Sequence, residues 1–559
     1  MKKVLNILFL FLIVLIGTSA KGQTGHEPFT RDSLVFIEEI DAIFKFDKSR
    51  KQEAKELMES FTTVWLGGSL DTNVRSKIYD ICDKMNQKRM LPFPEYSSYL
   101  SAVAAFVTSG HEIEKFDRWH KGVEYLIDGR SKRKYTNFLI FSKHLFEDKS
   151  LFYSNTTVWK TSSRDFDIYW KGTDAKGEAV VEIENLDLIC YAKHDSSFIW
   201  DTKGVYYPMK KLWIGKGGVV NWHKAGYEEN EIVAKVGNYR VEMNRSEYFA
   251  DSAEFKNKLY FGNAILIGEL RDKVIPNNNE EHSHYPKFES YKDNITINNI
   301  FPNVDFNGGF KQSGSSFIGT GSDKNLAKVT INRNGKPFIT AYAKSFVIRE
   351  SKLFADPAEV FIYLDGDTVY HPGMNFKFDN TKRELDLYRN KVGRAKSPYL
   401  NKYHQIDMYV EVIKWNIDGN MMHMQPLIGS TQRNAMFESN SFYQAYRYDD
   451  LYGLGYKHPL VILKNCVETH ETRDLQLSDV AHCWKLPPLE IKRTMMILSN
   501  QGYVRYNFQT NMVHVQEKAI NYVLARVRKI DYDIIQFQSV PKRGSNADLN
   551  LDSMYMQIH

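Results

Sequence analysis

Cysteine is scarce in this chain, with four residues among 559, at positions 82, 190, 466 and 483. Their spacing shows no disulfide framework of the kind that stabilises small exported domains. A long apolar run is also missing after the first twenty residues, so no segment is predicted to span a membrane. The net charge is only +6, which argues against a protein that binds nucleic acid through bulk positive charge. A chain of this length can instead form its cores from ordinary apolar burial.

Residues 1–20 are predicted to be a secretory signal peptide. Lys2 and Lys3 precede an unbroken apolar run of ten residues at 7–16, and small residues follow at 18–20. The run is shorter than the roughly 20 apolar residues of a membrane-spanning helix. We therefore expect cleavage after Ala20 and export to the periplasm or the cell surface. No cysteine lies at the cleavage site, which excludes a lipoprotein.

Residues 31–150 have the 3.6-residue apolar period of amphipathic helices. Six helices are predicted there, the first near 33–46 and the last near 134–147. The second carries an apolar stripe that ends at Gly67-Gly68, and Asp71 is placed to cap the third. Short links between the helices predict antiparallel neighbours, and therefore an N-terminal helical array.

Residues 155–420 change to the alternation and the turn signals of strands. Two hairpins are predicted, with turns at Asn334-Gly335 and Asp365-Gly366, because these pairs adopt the positive φ angles of tight turns. Asp365 and Asp367 also suggest a calcium site, but further spaced acidic ligands are missing, which favours the turn. The chain as a whole is predicted to be a multidomain α+β protein. Within it, we expect this region to be antiparallel and arranged as a solenoid or an open jelly roll.

An internal repeat lies within the β-rich region. Residues 246–254 and 351–359 are identical at six of nine positions, and with the strand-like runs that follow them the echoes cover 246–261 and 351–366. A repeated strand–turn–strand unit predicts stacked rungs. We expect the aromatic pair of the repeat to point into one apolar interior and the acidic pair to bind turn backbone. These four residues are Phe249, Phe354, Asp251 and Asp356.

At these echoes the chain resembles the OstA-like domains of lipopolysaccharide-transport bridge proteins, whose rungs carry an Ala-Asp-x-Ala-like turn between strands. The resemblance covers only the two echoes. It implies a role in the cell envelope and a lipid held in an apolar groove. The chain departs from that pattern in its large helical parts and in polar insertions such as 276–287. It is also similar to large, uncharacterised exported bacterial proteins, a likeness that implies no activity.

Residues 440–540 are predicted to form an α/β part in which 474–516 looks like a winged helix. In a cytosolic protein, Lys492 and Arg493 on its second helix would suggest contacts in the major groove of DNA. Export leaves no DNA target, so we expect a structural or protein-docking role and no nucleic-acid partner. Residues 541–559 still alternate like a strand, which predicts the start of a further strand region and suggests that the chain is a fragment.

No catalytic, cofactor or metal site is predicted. Cys466, His470, His482 and Cys483 are close in sequence, but their spacing matches no common zinc pattern and adjacent ligands are geometrically awkward. Buried thiols and one Cys466–Cys483 disulfide are the alternatives that stay open. The sequence contains no serine nucleophile elbow, phosphate loop or dinucleotide fingerprint.

Three functional hypotheses follow. The first is an exported cell-envelope scaffold or binding protein without catalytic activity, with envelope proteins as partners. The second is an OstA-like carrier of lipid or lipopolysaccharide, which requires a continuous apolar groove. The third is a glycan-binding or glycan-active protein. Its one sequence hint is a set of tryptophans that could stack on sugars, although such residues more often belong to a core: Trp159, Trp170, Trp200, Trp213 and Trp222.

The predicted signal peptide gives a direct test. In an envelope fraction, we expect the intact mass of the protein to match a chain that begins near Lys21. A full-length chain recovered from the cytoplasm would contradict export.

Overall fold

The computed structural model describes residues 27–45, 48–280, 282–322, 325–349, 351–389, 397–427, 434–454, 457–508, 510–541 and 544–559. The predicted signal peptide, residues 1–20, lies outside the described residues. The fold combines several helices with a large antiparallel sheet. Among the helices that are described, none is both long enough and apolar enough to cross a membrane.

The chain divides into two compact units. The first contains the described residues up to Val220, together with Lys235–Asp251 and Asp272–Pro276. The second contains Asn221–Ala234, Ser252–Arg271 and the described residues from Asn277 onwards.

The helices of the first unit occupy the region that the apolar period predicted. Asp71 caps α3 as expected, since its side chain accepts the N–H of Val74. The predicted apolar stripe of α2, from Ala54 to Trp65, is the buried face of that helix. The six helices are α1 Ser33–Lys45, α2 Lys51–Leu66, α3 Thr72–Gln87, α4 Ser97–Thr108, α5 Ile113–Asp128 and α6 Lys132–Asp148.

Eleven strands follow α6, and the residues of the last few are divided between the first and the second unit. They are β1 Ser150–Tyr153, β2 Thr157–Thr161, β3 Asp167–Lys171, β4 Glu178–Ala192, β5 Asp195–Tyr207, β6 Leu212–Lys216, β7 Val219–Asn221, β8 Ile232–Lys235, β9 Asn238–Glu242, β10 Glu247–Asn257 and β11 Leu266–Lys273, with the short helix α7 Lys258–Phe261 before β11.

The second unit contains further antiparallel strands. Its strands are β12 Lys287–Ser290, β13 Ile295–Phe301, β14 Val304–Ser313, β15 Ser316–Thr320, β16 Ala327–Arg333, β17 Lys336–Ala343, β18 Ser345–Arg349, β19 Lys352–Leu364, β20 Asp367–Asp379, β21 Glu384–Tyr388, β22 Tyr399–Asn401, β23 Ile406–Tyr409, β24 Val412–Asn416, β25 Met421–Gln425, β26 Ala435–Ser439, β30 Gln536–Ser539, β31 Ala547–Asn550 and β32 Met556–Ile558.

Helices and a small second sheet lie between β26 and β30. The helices are α8 Ala445–Asp449, α9 Pro459–His470, α10 Leu477–Trp484, α11 Pro488–Asn500 and α12 Glu517–Arg526. The small sheet contains β27 Asp474–Gln476, β28 Val504–Asn507 and β29 Met512–Val515, with β29 in the middle. The helix–helix–hairpin order predicted for 474–516 is therefore present, and β27 is a strand that the sequence did not predict.

Long strands in the second unit take part in two ladders. The first half of β19 pairs with β18, and its second half pairs with β17. The halves of β20 likewise pair with β21 and with β22. Inward-facing aromatic rings of the second unit pack against one another. The ring centroids of Phe310 and Phe317 are 4.8 Å apart, and both rings are almost completely buried together with Phe288. Burial of this kind is the main favourable contribution to folding.

Both predicted hairpin turns are present. Asn334 and Gly335 have φ angles of 54° and 73° between β16 and β17, and Asp365 and Gly366 have 42° and 95° between β19 and β20. Positive φ at both central residues is what a tight two-residue turn requires. Asp365 is therefore explained by its turn.

The two echoes lie in β10 and β19, and both show the same order of buried and exposed positions up to Asn257 and Ile362. The predicted turn is instead an irregularity inside a strand. Ser252 has a φ of +55°, and the register of β19 with β20 shifts between Ala355 and Ala358. Beyond Asn257 the equivalence ends, because its side chain caps α7 where a strand was predicted.

The predicted orientation of the aromatic pair is wrong. Phe249 and Phe354 are 48% and 40% exposed. Side chains alternate along a strand, and in each copy the residues on either side of the phenylalanine take the inward positions. The acidic pair is exposed as well. Asp356 accepts a hydrogen bond from the side-chain amide of Asn375 at 3.3 Å, where a bond to turn backbone was predicted. Asp251 is also exposed.

A cluster of four charges, three of them buried and Arg447 half-buried, joins the large sheet to the helices of the second unit. Lys518 of α12 lies 2.5 Å from Asp407 of β23 and 3.9 Å from Glu438 of β26. Arg447 of α8 donates two hydrogen bonds to Glu438, at 3.0 and 2.8 Å. Burial lowers the pKa of Lys518, but attraction to the two carboxylates and to Tyr409 outweighs it and leaves that pKa raised. The lysine is therefore charged.

Loss of this lysine should destabilise the second unit. We expect Lys518→Met to lower the free energy of unfolding by about 3–5 kcal/mol, since Asp407 would then be buried without its cation and Glu438 would keep only Arg447. The exposed pair of Lys55 and Glu59 supplies the control, and Lys55→Met should cost less than about 1 kcal/mol. Urea unfolding compares the three proteins. Equal, small losses in both variants would show that the cluster contributes nothing to stability.

Candidate functional site

The second unit contains a cleft of about 690 Å³, lined by two sheets. Its floor is the outer face of the large sheet at β14, β16, β17, β19 and β20, and its wall is the small sheet β27–β29–β28. This volume falls within the range of small-molecule binding sites, roughly 300–1,000 Å³.

The floor begins with a row of four side chains on four neighbouring strands. In register, Asn307 of β14 pairs with Lys328 of β16. Lys328 pairs with Tyr342 of β17, and Tyr342 pairs with Glu359 of β19. Directly paired residues point to the same side of a sheet, which brings these four side chains together. Asn307 is held in place by hydrogen bonds of 2.8 Å that its amide donates to Asn294 and Thr296.

Aromatic rings form the next part of the floor. Glu359, Phe361 and Tyr363 face the cleft, because Val360 and Ile362 between them take the inward positions. The ring of Phe361 lies 6.0 Å from that of Tyr342 and 4.9 Å from that of Tyr370. Tyr363 is 36% exposed. The floor therefore offers apolar ring surface to a ligand.

The wall presents a second row of polar side chains. Arg505 of β28 pairs with His514 of β29, and His514 pairs with Asp474 of β27. The Nδ1 atom of His514 donates a hydrogen bond of 2.7 Å to Asp474. Burial, followed by the nearby Arg505, lowers the pKa of His514 in spite of that bond. The imidazole is therefore neutral at pH 7.

Glu359 is the point where floor and wall meet. Its carboxyl accepts a hydrogen bond of 2.8 Å from the hydroxyl of Tyr370 on the floor and one of 2.6 Å from the amide of Asn507 on the wall. Burial raises the pKa of Glu359, while the two donors and Arg505 oppose that rise.

The guanidinium of Arg505 lies over the ring of Tyr370, with 4.7 Å between its carbon and the ring centroid. Its Nε atom is buried and has no hydrogen-bond acceptor among the described residues. A buried donor without an acceptor is costly, by roughly 1–3 kcal/mol. The wall therefore contains a donor that a ligand can satisfy.

The structure does not bring the four repeat residues to this cleft. Phe249, Asp251, Phe354 and Asp356 lie outside it. Of the nine-residue repeat only its last residue, Glu359, lines the cleft, while Phe361 and Tyr363 belong to the longer echo 351–366.

The tryptophans give no support for the sequence hint of sugar stacking. Trp159, Trp170, Trp213 and Trp222 are at most 9% exposed and belong to the core. Trp200 is half-buried and stacks on Phe198, with 4.7 Å between ring centroids.

Cys466 and Cys483 form a disulfide between α9 and α10, one of the two alternatives that the sequence left open. The sulfurs lie near His470, but their bond to each other removes both thiolates as metal ligands. Cys82 and Cys190 are buried free thiols.

No family model, curated protein or solved structure matches this chain. What the cleft can do therefore has to be argued from its own geometry. It combines aromatic faces with hydrogen-bond donors and acceptors and contains a carboxyl with a raised pKa. None of its residues was singled out from the sequence as a site residue. The signal that was available is the pair of aromatic residues, Phe361 and Tyr363, on the polar face of a predicted hairpin.

The buried carboxyl of Glu359 makes a pH-dependent prediction. Once the pH exceeds about 4.5, the usual pKa of a glutamate carboxyl, the unfolded chain releases this proton but the folded chain still holds it. Rising pH therefore destabilises the fold by up to about 1.4 kcal/mol per pH unit. This loss continues until the raised pKa of the folded state is passed. Glu359→Gln has no proton to lose.

We therefore expect the free energy of unfolding of Glu359→Gln to increase relative to wild type as the pH rises from 4.5 to 7. Chemical denaturation at several pH values measures that difference. A difference that is constant with pH would mean that the carboxyl titrates alike in both states.

Proposed function

We propose that this chain is an exported, non-catalytic binding protein of the cell envelope, and that the cleft binds a carbohydrate. The observation that carries the proposal is the aromatic surface of Tyr342, Phe361 and Tyr363 beside a dense set of polar groups. A sugar ring has an apolar face and a rim of hydroxyls, each of which donates and accepts. The cleft offers matching partners, since Asn307 and Glu359 border the aromatic surface on one side and Arg505 and Asp474 lie on the opposite wall.

A binding role is preferred to catalysis because the polar groups already hold one another. Glu359 is occupied by two donors from the protein, and Asp474 by His514. A glycosidase needs one carboxyl placed on each side of the scissile bond. Carboxyls that hold the walls together are better suited to a preformed binding site, because little reorganisation is needed when the ligand arrives.

The second candidate is an OstA-like carrier of lipid or lipopolysaccharide. Its support is that the two ends of each long strand pair with different neighbours: β14 with β12 and β16, β19 with β18 and β17, and β20 with β21 and β22. Such pairing agrees with a jelly-roll or solenoid arrangement. A carrier also needs apolar space between the ladders. In the described part of the second unit that space holds packed rings, and Phe255 lies 4.2 Å from Phe288 between centroids. We therefore rank the lipid hypothesis second.

We also propose that α10, α11 and the small sheet form a winged helix that serves inside the protein. Its hairpin supplies the wall of the cleft, which is a docking role within one chain. This use of the module favours neither DNA nor a separate partner protein. The helices α1 to α6 are proposed to be a separate N-terminal helical array.

Removal of the central ring tests the carbohydrate proposal. Phe361→Ala should weaken binding of a matching oligosaccharide at least about tenfold, or 1.4 kcal/mol. Phe354→Ala is the matched control, since Phe354 lies on the same strand, is exposed and is outside the cleft. A glycan array finds the ligand, and calorimetry gives the affinities.

Two results would contradict the proposal. One is equal binding by both variants, which would place the ligand elsewhere. The other is the release of shortened sugars on prolonged incubation, which would show that the protein is an enzyme.

A further inference from the structure

The cationic side chains of the cleft have fewer hydrogen-bond and ion-pair partners within the protein than its carboxyls have. Arg505 makes no ion pair or hydrogen bond with any described residue, and one face of its guanidinium is covered by Tyr370. Lys328, two positions along the floor row from Glu359, has no ion pair within the described ranges either. Both side chains are half-buried. Neither positive charge has an ion-pair partner among the described residues, although Arg505 is near enough to Glu359 to act against the rise of that carboxyl's pKa.

None of the nearby acidic side chains forms an ion pair with Arg505 or Lys328 among the described residues. Tyr370 and Asn507 occupy the two oxygens of Glu359. Asp474 is held by His514. Asp293 is exposed at the rim, where solvent screens its charge. The free guanidinium therefore marks the place where an acceptor from outside the chain would be favourable.

We propose that the carbohydrate bound in this cleft is acidic, and that Arg505 and Lys328 recognise the carboxylate of a uronic acid residue. This inference rests on the proposed carbohydrate site. A guanidinium presents parallel N–H groups that match the two oxygens of a carboxylate. Stacking on Tyr370 holds its plane in one orientation, and Lys328 adds a second charge without directional demands. The sugar ring would lie against Phe361 and Tyr342.

Repulsion from Glu359 does not oppose this arrangement strongly. Burial raises the pKa of that carboxyl, and its remaining charge is already directed at two donors. A hydroxyl of the sugar can approach Glu359 while the carboxylate turns towards Arg505.

The test uses two ligands with the same sugar backbone, one charged and one neutral. Oligogalacturonate and its methyl ester have the same ring and linkage, but only the first carries carboxylates. We expect the full-length mature protein to bind the acid at least about tenfold more tightly than the ester in calorimetry at low salt. Salt should reduce that preference, because the interaction is between charges.

Variants of Arg505 test whether this residue causes the preference for the acid over the ester. Arg505→Gln should bring the acid to the affinity of the ester, whereas Arg505→Lys should keep part of the preference, since it keeps the charge and loses the planar fork. Arg493→Gln, on the exposed side of α11 and outside the cleft, should leave both affinities unchanged. Thermal unfolding of each variant shows whether it is folded, and Arg505→Lys keeps the test valid if Arg505→Gln is not.

The outcomes separate the two proposals. Equal, Phe361-dependent binding of acid and ester would overturn the acidic ligand and leave the carbohydrate site standing. A preference for acid that survives Arg505→Gln would also overturn it. Tighter, Arg505-dependent binding of a sugar phosphate would replace the carboxylate by a phosphate. If neither these oligosaccharides nor those of the glycan array bind, the carbohydrate proposal fails and this inference fails with it.

Discussion

The helix that follows the wall of the cleft is fixed to the large sheet by a cluster of four charged side chains. Lys518, Asp407, Glu438 and Arg447 join α8 and α12 to two strands of the large sheet. Lys518 comes only three residues after β29 ends, so its position restricts where the small sheet can lie. A buried ion pair contributes less to net stability than its Coulomb energy suggests, because both groups lose their hydration. Its hydrogen bonds have direction, however, and they can hold the wall at a defined distance from the floor.

Strand alternation then gives each long strand of the second unit two roles. In β19, the residues between Glu359 and Tyr363 that point inward complete the core, and those that point outward form the floor of the cleft. The same separation occurs in β28 and β29, where Val504 and Val515 are buried and Arg505 and His514 face the cleft. Because core and site occupy opposite faces, changes in the site need not disturb the packing behind it.

Local features were predictable from the sequence, and long-range ones were not. The stripe of α2, the cap at Asp71 and the turn at Asn334-Gly335 depend on residues within one or two turns of the chain. The orientation of Phe354 depends on the phase of its strand, which an irregularity a few residues away resets. A nine-residue repeat can therefore be recognised while its inward and outward sides are assigned wrongly.

The candidate site was beyond such reasoning for a different reason. Glu359 and Asn507 are 148 positions apart in sequence, and only the fold makes them neighbours. Arg505 and His514 lie in the segment 474–516, which was predicted only to form a winged helix, and neither was singled out. What distinguishes Arg505 is a buried donor without an acceptor among the described residues, and such a shortage can be recognised only from coordinates.

A cleft whose floor and wall come from distant parts of the chain makes any ligand a cross-link. A molecule that touches both Phe361 and Arg505 adds its binding free energy to the forces that hold the small sheet against the large one. At a concentration one hundred times the dissociation constant, that amounts to about 2.7 kcal/mol. The protein can thus report its own ligand through the temperature at which the two sheets part, before the chemistry of that ligand is known.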